Sequence, residues 1–125
     1  MMTFNEYLED VLDLHVGLMS EREINDARES YKSFTAPRVA DPKHPDMKKT
    51  ATELRSRCER LVSGQSNAVA KFSGASGYES ALIAARASVA EGRRILSAKR
   101  VTKAEYIAHA EMNSDASRKM NAAAK

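Results

Sequence analysis

The stretch MKKTATELRSRCERL, residues 47–61, decides the fold class of this 125-residue chain. Its apolar positions recur at steps of four and three, which is the heptad spacing of one helix face. The members of this seam are Met47, Ala51, Leu54, Cys58 and Leu61. The same spacing continues to Phe72, either as one helix or as two helices that break at Gly64, because glycine costs about 1 kcal/mol in a helix interior.

Four short motifs predict where the helices begin. In each, a serine or threonine precedes a glutamate by three residues, which is the sequence form of a capping box. The four pairs are Thr3 with Glu6, Ser20 with Glu23, Ser76 with Glu79, and Thr102 with Glu105. Together with apolar periodicity, they predict helices over 4–19, 21–34, 46–73 and 78–98, and a last one from residue 103.

These elements predict an all-α fold, a small helical bundle of four to five helices in one domain. Residues 1–34 form an acidic helical hairpin, for which one gently bent helix is the alternative. Residues 35–46 contain all three prolines and form a linker or crossover. Residues 47–100 form a basic helical core. Residues 101–125 form a C-terminal helix of marginal stability, because its apolar face is thin.

Charge divides the chain unevenly. Residues 1–33 hold eight acidic and three basic residues, a net charge of −5, whereas residues 34–125 hold nine acidic and 17 basic residues, a net charge of +8. Either the two parts pack together and neutralise one another, or they meet different partners or neighbouring copies head to tail. The apolar runs are too short to cross a bilayer, and a single cysteine is typical of a reducing compartment. We therefore expect a cytoplasmic protein, or a virion component if the chain is phage-encoded.

The residue types that carry catalysis form no cluster in the sequence. His15, His44 and His109 lie on three different elements, and no cysteine or histidine is near Cys58 in the sequence. Cys58 lies on the heptad seam and is interpreted as a small buried hydrophobe, and His15 as a hydrogen-bonded core or interface histidine. No phosphate-binding loop or metal-ligand spacing is present. We predict no enzyme, catalytic residue, metal, cofactor or small-molecule substrate.

Nucleic-acid binding is the alternative function. Six basic residues cluster at the end of the fourth predicted helix and could contact phosphates: Arg86, Arg93, Arg94, Lys99, Arg100 and Lys103. Helices over 103–110 and 115–125, separated by a polar turn over 111–114, would resemble a helix-turn-helix in outline. The chain would then be a small basic DNA-binding regulator.

Protein–protein interaction is the function that the sequence favours. The helices carry broad apolar stripes, and Ala85 and Gly92 would let another helix approach closely. The predicted interface residues are Leu8, Val11, Leu18, Leu54, Leu61, Leu82, Val89 and Tyr106. We expect a non-enzymatic helical protein that binds a protein partner or copies of itself. Small phage- or plasmid-encoded accessory proteins, such as virion components and inhibitors of host machinery, often have this profile.

Overall fold

The computed structural model describes residues 3–12, 14–35 and 43–124, and every regular element in these ranges is helical. The α-helices in these ranges are α1 (Phe4–Glu6), α2 (Glu21–Thr35), α3 (Ala51–Phe72), α4 (Glu79–Ser97) and α5 (Lys103–Ala123). The predicted all-α class and the small helical bundle are confirmed. Most of the predicted proline-containing linker, residues 36–42, lies outside the described residues.

Helix α4 is the centre of the bundle, because it packs against α2, α3 and α5. Its buried positions are not confined to one stripe, and they include Ala81, Leu82, Ile83, Ala85, Ala87, Val89 and Ile95. A helix that is apolar on more than one side has to be covered by several neighbours. The small side chains of α4 allow those neighbours to come close.

Three clusters of buried side chains make up the core. The first joins the N-terminal segment to α2 and α4 through Tyr7, Leu8, Leu12, Ala27, Ile83 and Ala87. The second joins α3, α4 and α5 through Leu54, Cys58, Ile95 and Tyr106. The third lies at the other end of these helices and contains Ala81, Leu82 and Met120. Each large apolar side chain buried in this way stabilises the fold by roughly 1.5–3 kcal/mol.

The capping motifs mark three of the four predicted helix starts. Before α2, the Ser20 and Glu23 backbone N–H groups each donate to the other residue's side chain at 3.2 Å. Thr102 and Glu105 form the same reciprocal pair before α5, and Thr3 accepts from the Glu6 N–H before α1. The cap predicted from Ser76 and Glu79 is wrong, because α4 begins after Tyr78 and no side chain caps it.

Helix α3 is a single rod that contains Gly64, so the choice between one helix and two is decided. Its predicted start near residue 46 is wrong. Pro45–Lys48 form a separate 3-10 turn, and Thr50 then caps α3 through a reciprocal capping box with Glu53. This pair is a fifth Thr-x-x-Glu motif that the sequence analysis did not single out.

The first helix is shorter than predicted. α1 continues as a π-helix over Tyr7–Val11, in which the Leu12 N–H donates to the Tyr7 carbonyl at 3.2 Å, and the predicted helix to residue 19 is wrong beyond this point. The wider π turn brings residues five apart onto the same face, so Tyr7 and Leu12 both enter the core. A separate 3-10 turn, Val16–Leu18, precedes α2.

Helix α5 is continuous from Lys103 to Ala123, so the predicted helix-turn-helix outline is wrong. The polar stretch that was predicted to form its turn stays helical, because Asn113 within it faces the bundle interior and is buried there. The α5 side chains buried against the rest of the chain are Tyr106, Ile107, His109, Asn113, Ala116 and Met120.

Candidate interaction groove and buried polar core

A groove of about 370 Å³ crosses the surface above α4, between the N-terminal segment and α3. We call it the valine groove, and its lining residues are Asp10, Val11, Ser66, Val69, Arg86, Val89, Ala90 and Arg93. Val89 lies deep in it with 6% exposure, while Val11 and Val69 are half-buried on the two sides. The groove therefore has an apolar floor with polar and charged groups along its edges.

The two arginines of the valine groove have different surroundings. Arg86 reaches across it, since its guanidinium donates to the Leu12 carbonyl at 3.3 Å and to Ser73 Oγ at 3.4 Å. It thereby ties the N-terminal segment to α4. Arg93 is exposed and donates to Ser66 Oγ on α3 at 3.3 Å, so its charge faces a neutral hydroxyl and solvent.

Two of the remaining predicted nucleic-acid contacts are paired within the chain, and two lie open to solvent. Arg94 binds Glu91 and Glu105, and the Lys103 Nζ donates to the Met47 carbonyl at 3.1 Å. Lys99 and Arg100 are exposed in the connection between α4 and α5. The cluster that is continuous in sequence is thus split, because only Arg86 and Arg93 share a groove and Arg94 is neutralised within the chain.

Arg94, whose side chain is 47% exposed, forms the centre of an ion-pair network that covers a buried carboxylate. Its guanidinium contacts Glu91, whose side chain is 2% exposed, at 2.6 Å and Glu105 at 3.1 Å. The hydrogen bonds to Glu91 raise the pKa of the guanidinium above its usual range. Burial alone would raise the pKa of the Glu105 carboxyl, but hydrogen bonds from Thr102 and Arg94 outweigh it and lower that pKa. The Arg94 guanidinium and the Glu105 carboxyl are therefore both charged at neutral pH.

Most predicted interface residues lie inside the chain's own core. Leu8, Leu54, Leu82, Val89 and Tyr106 are all buried, with at most 6% exposure. Val11 and Leu61 are half-buried, and Leu18, in the 3-10 turn before α2, is 85% exposed. The buried side chains can contribute to a partner surface only where they form the floor of a groove, as Val89 does.

A buried polar chain, which the sequence pattern did not predict, runs between α3, α4 and α5. His109 lies at its centre, with Nε2 3.0 Å from the Ser88 carbonyl and Nδ1 3.5 Å from Cys58 Sγ. A carbonyl can only accept, so Nε2 carries the ring proton and Nδ1 accepts from the thiol. Asn113 extends the chain, since it accepts from Ser88 Oγ at 3.4 Å and from Gln65 Nε2 at 3.5 Å.

A spacing that was present in the sequence could have revealed this polar chain. Tyr106, His109, Asn113, Ala116 and Met120 follow one another at steps of three and four, which is the seam spacing already recognised in α3. The seam was not predicted because His109 and Asn113 are polar, and only apolar residues were counted as members of a buried helix face. Counting buried polar residues as seam members would have placed α5 firmly in the bundle.

The Cys58–His109 pair is uncharged. Burial raises the pKa of the Cys58 thiol to about 11, and burial lowers the pKa of His109 below its usual value. Activated cysteine nucleophiles need the opposite, a thiolate beside an imidazolium that solvent and substrate can reach. The exposed fractions of the two residues are 2% and 1%. The geometry therefore supports a packing role for the pair. His15, predicted to be a core or interface histidine, is exposed, so it is not a core residue of this chain.

His109 predicts a loss of stability in mild acid. Because its folded pKa is below the unfolded value of 6.5, the unfolded chain takes up the proton first and stability falls as the pH drops below about 6.5. The expected slope is up to about 1.4 kcal/mol per pH unit. Urea unfolding between about pH 7.5 and 5.5 measures this slope. The carboxyl groups of Asp46 and Glu105, whose pKa values are lowered, change stability only at lower pH and do not interfere.

His109→Gln is expected to flatten this slope, whereas His15→Gln, at an exposed position, should keep it. An unchanged slope in His109→Gln would show that another group takes up the proton.

The described ranges hold neither a metal-binding cluster nor a membrane-spanning helix. No three potential metal-ligating side chains come together there, and no helix there combines the length and apolar character needed to cross a bilayer. Comparison of the chain with protein-family models, curated proteins and solved structures finds no match.

Proposed function

We propose that this chain is a non-enzymatic helical interaction protein that works by binding another protein or further copies of itself. One observation supports this most strongly: the valine groove combines an apolar floor with charged groups of both signs at its edges. Such a surface suits a protein partner, because apolar burial supplies affinity while peripheral charges supply specificity. No small-molecule substrate, cofactor or membrane enters this proposal.

The internal chemistry supports the non-enzymatic part of the proposal. The one nucleophile-and-base pair described above, Cys58 with His109, is buried and neutral. We propose that the protein acts as an accessory protein in the cytoplasm, or as a virion component if the chain is phage-encoded.

Light scattering on the purified chain at micromolar concentration tests the proposed function. We expect a mass above the 13.8 kDa of one chain, either for the chain alone or, in fluorescence-detected sedimentation, for the labelled chain after addition of a cell extract. Arg93→Glu should reduce the heavier species because it reverses an exposed charge of the groove, while Arg22→Glu, an exposed reversal on α2, should leave it intact. A mass of one chain under both conditions contradicts the proposal.

DNA binding is the second candidate function, and the exposed pair Lys99 and Arg100 beside the end of α4 supports it. A gel shift at low salt should be weakened by the double change Lys99→Ala and Arg100→Ala, and by added salt. The matched control removes two exposed charges elsewhere, Arg22→Ala with Lys119→Ala. If both doubles behave alike, the pair is not a phosphate-binding site.

A further inference from the structure

The exposed charges on the two walls of the valine groove have opposite signs, whereas Arg86 is half-buried and bonded to the Leu12 carbonyl. The N-terminal wall presents the exposed carboxylate of Asp10 next to Val11. On the opposite side, Arg93 leans toward α3, where it donates to Ser66 Oγ at 3.3 Å. Between the walls lie Val89 and Ala90 of α4. An acidic wall, an apolar floor and a basic wall follow one another across a single surface.

This order makes the groove complementary to itself. If two copies face one another across a two-fold axis that runs along the groove, the acidic wall of each copy lies over the basic wall of the other. The valines of the two floors then meet in the middle, and the two α4 helices run parallel. A two-fold interface uses the same surface on both copies, so one groove supplies both charge pairs.

We infer that the valine groove is the site where a second copy of this chain binds, with Asp10 of each copy facing Arg93 of the other. This inference rests on the proposed interaction function and names the partner. A nucleic acid fits the groove poorly, because Asp10 repels phosphate and a valine floor offers it no hydrogen bonds. Arg86 acts as a positioning residue, since its bond to the Leu12 carbonyl holds the acidic wall in place.

Two charge-reversed chains test the inference. Asp10→Lys places like charges at both pairs of its own dimer, and so does Arg93→Glu, so each variant alone should dimerise roughly tenfold or more weakly than the natural chain. When the two variants are mixed, one pair becomes Lys with Glu and the other stays Arg with Asp. The mixture should therefore recover a mass of two chains in light scattering or sedimentation.

The measurement needs matched control variants and a check that each variant is folded. Arg22→Glu and Glu29→Lys make the same charge changes at exposed positions of α2, and they should leave dimerisation unchanged. Circular dichroism checks that each variant keeps its helices. If a reversal unfolds the chain, the neutral changes Asp10→Asn and Arg93→Gln replace it, with a smaller expected loss.

Three other outcomes would overturn the inference, and they differ in what they imply for the proposed function. If the natural chain dimerises and the reversals have no effect, self-association uses another surface and the proposed function survives. If the natural chain stays at one chain's mass but an added protein binds it in an Arg93-dependent manner, the groove takes a different partner. If neither occurs, the inference and the proposed function both fail.

Discussion

Gly92→Ala is expected to lower the free energy of unfolding by about 2 kcal/mol, although alanine is the better helix former. An alanine Cβ at this position of α4 would lie 2.7 Å from His109 Nε2 and closer still to a methyl group of Val62. The His109 ring is held by the Ser88 carbonyl, and Val62 is stiff because it is branched at Cβ. We therefore expect α3 and α5 to be pushed away from α4, which loosens the core on both sides.

Gly64→Ala is the matched control, since this glycine also lies inside a helix. No neighbouring atom lies within 4 Å of its added Cβ. We expect it to stabilise the chain by up to about 1 kcal/mol, because only the helix propensity changes. Urea unfolding monitored by circular dichroism measures both variants. Two shifts of the same sign would refute the close approach of helices at Gly92.

Arg94→Met is expected to cost about 3 kcal/mol, because a buried carboxylate loses the guanidinium that neutralises it. Glu91 is 2% exposed, and Arg94 donates to both of its oxygens, at 2.6–3.2 Å. The same change also removes the contact from Arg94 to Glu105, which caps the start of α5 together with Thr102. Chemical unfolding of the variant at neutral pH measures the loss.

Two further variants separate burial from the mere presence of an ion pair. Arg118 and Asp115 form a pair with the same three-residue spacing, but their side chains are 75% and 60% exposed. Arg118→Met should therefore cost no more than about 1 kcal/mol. Adding Glu91→Gln to Arg94→Met should recover part of the loss. Equal costs for the two arginines would contradict the role we assign to burial.

The Arg94 network also limits how DNA binding can be tested. Arg94 belongs to the basic cluster in sequence, so a scan of that cluster by alanine would include it. A weaker gel shift from an Arg94 variant would reflect damage to the fold as well as lost charge, because Glu91 is buried against it. Lys99 and Arg100 are exposed and permit a clean test.

The fold class and most helix starts could be obtained from local sequence. Capping boxes and heptad spacing depend on residues three or four apart, so their physics is complete within one turn of helix. Ser20 and Thr102 were found in this way, and the seam through Leu54 and Cys58 was found as well. The sequence also indicated that Ala85 and Gly92 would let another helix approach closely, and at Gly92 side chains of α3 and α5 of the same chain do so.

The candidate groove and the polar core depend on residues that are distant in the sequence. Cys58 and His109 are 51 positions apart, and Asp10 shares a groove with Arg93 only because the N-terminal segment folds against α4. Whether a charge stays available also depends on the fold, since Arg94 is paired with two carboxylates while Arg93 donates to a neutral hydroxyl. Local hydrogen bonding and periodicity determine each helix, whereas burial and charge pairing are properties of the assembled bundle and only the tertiary arrangement decides them.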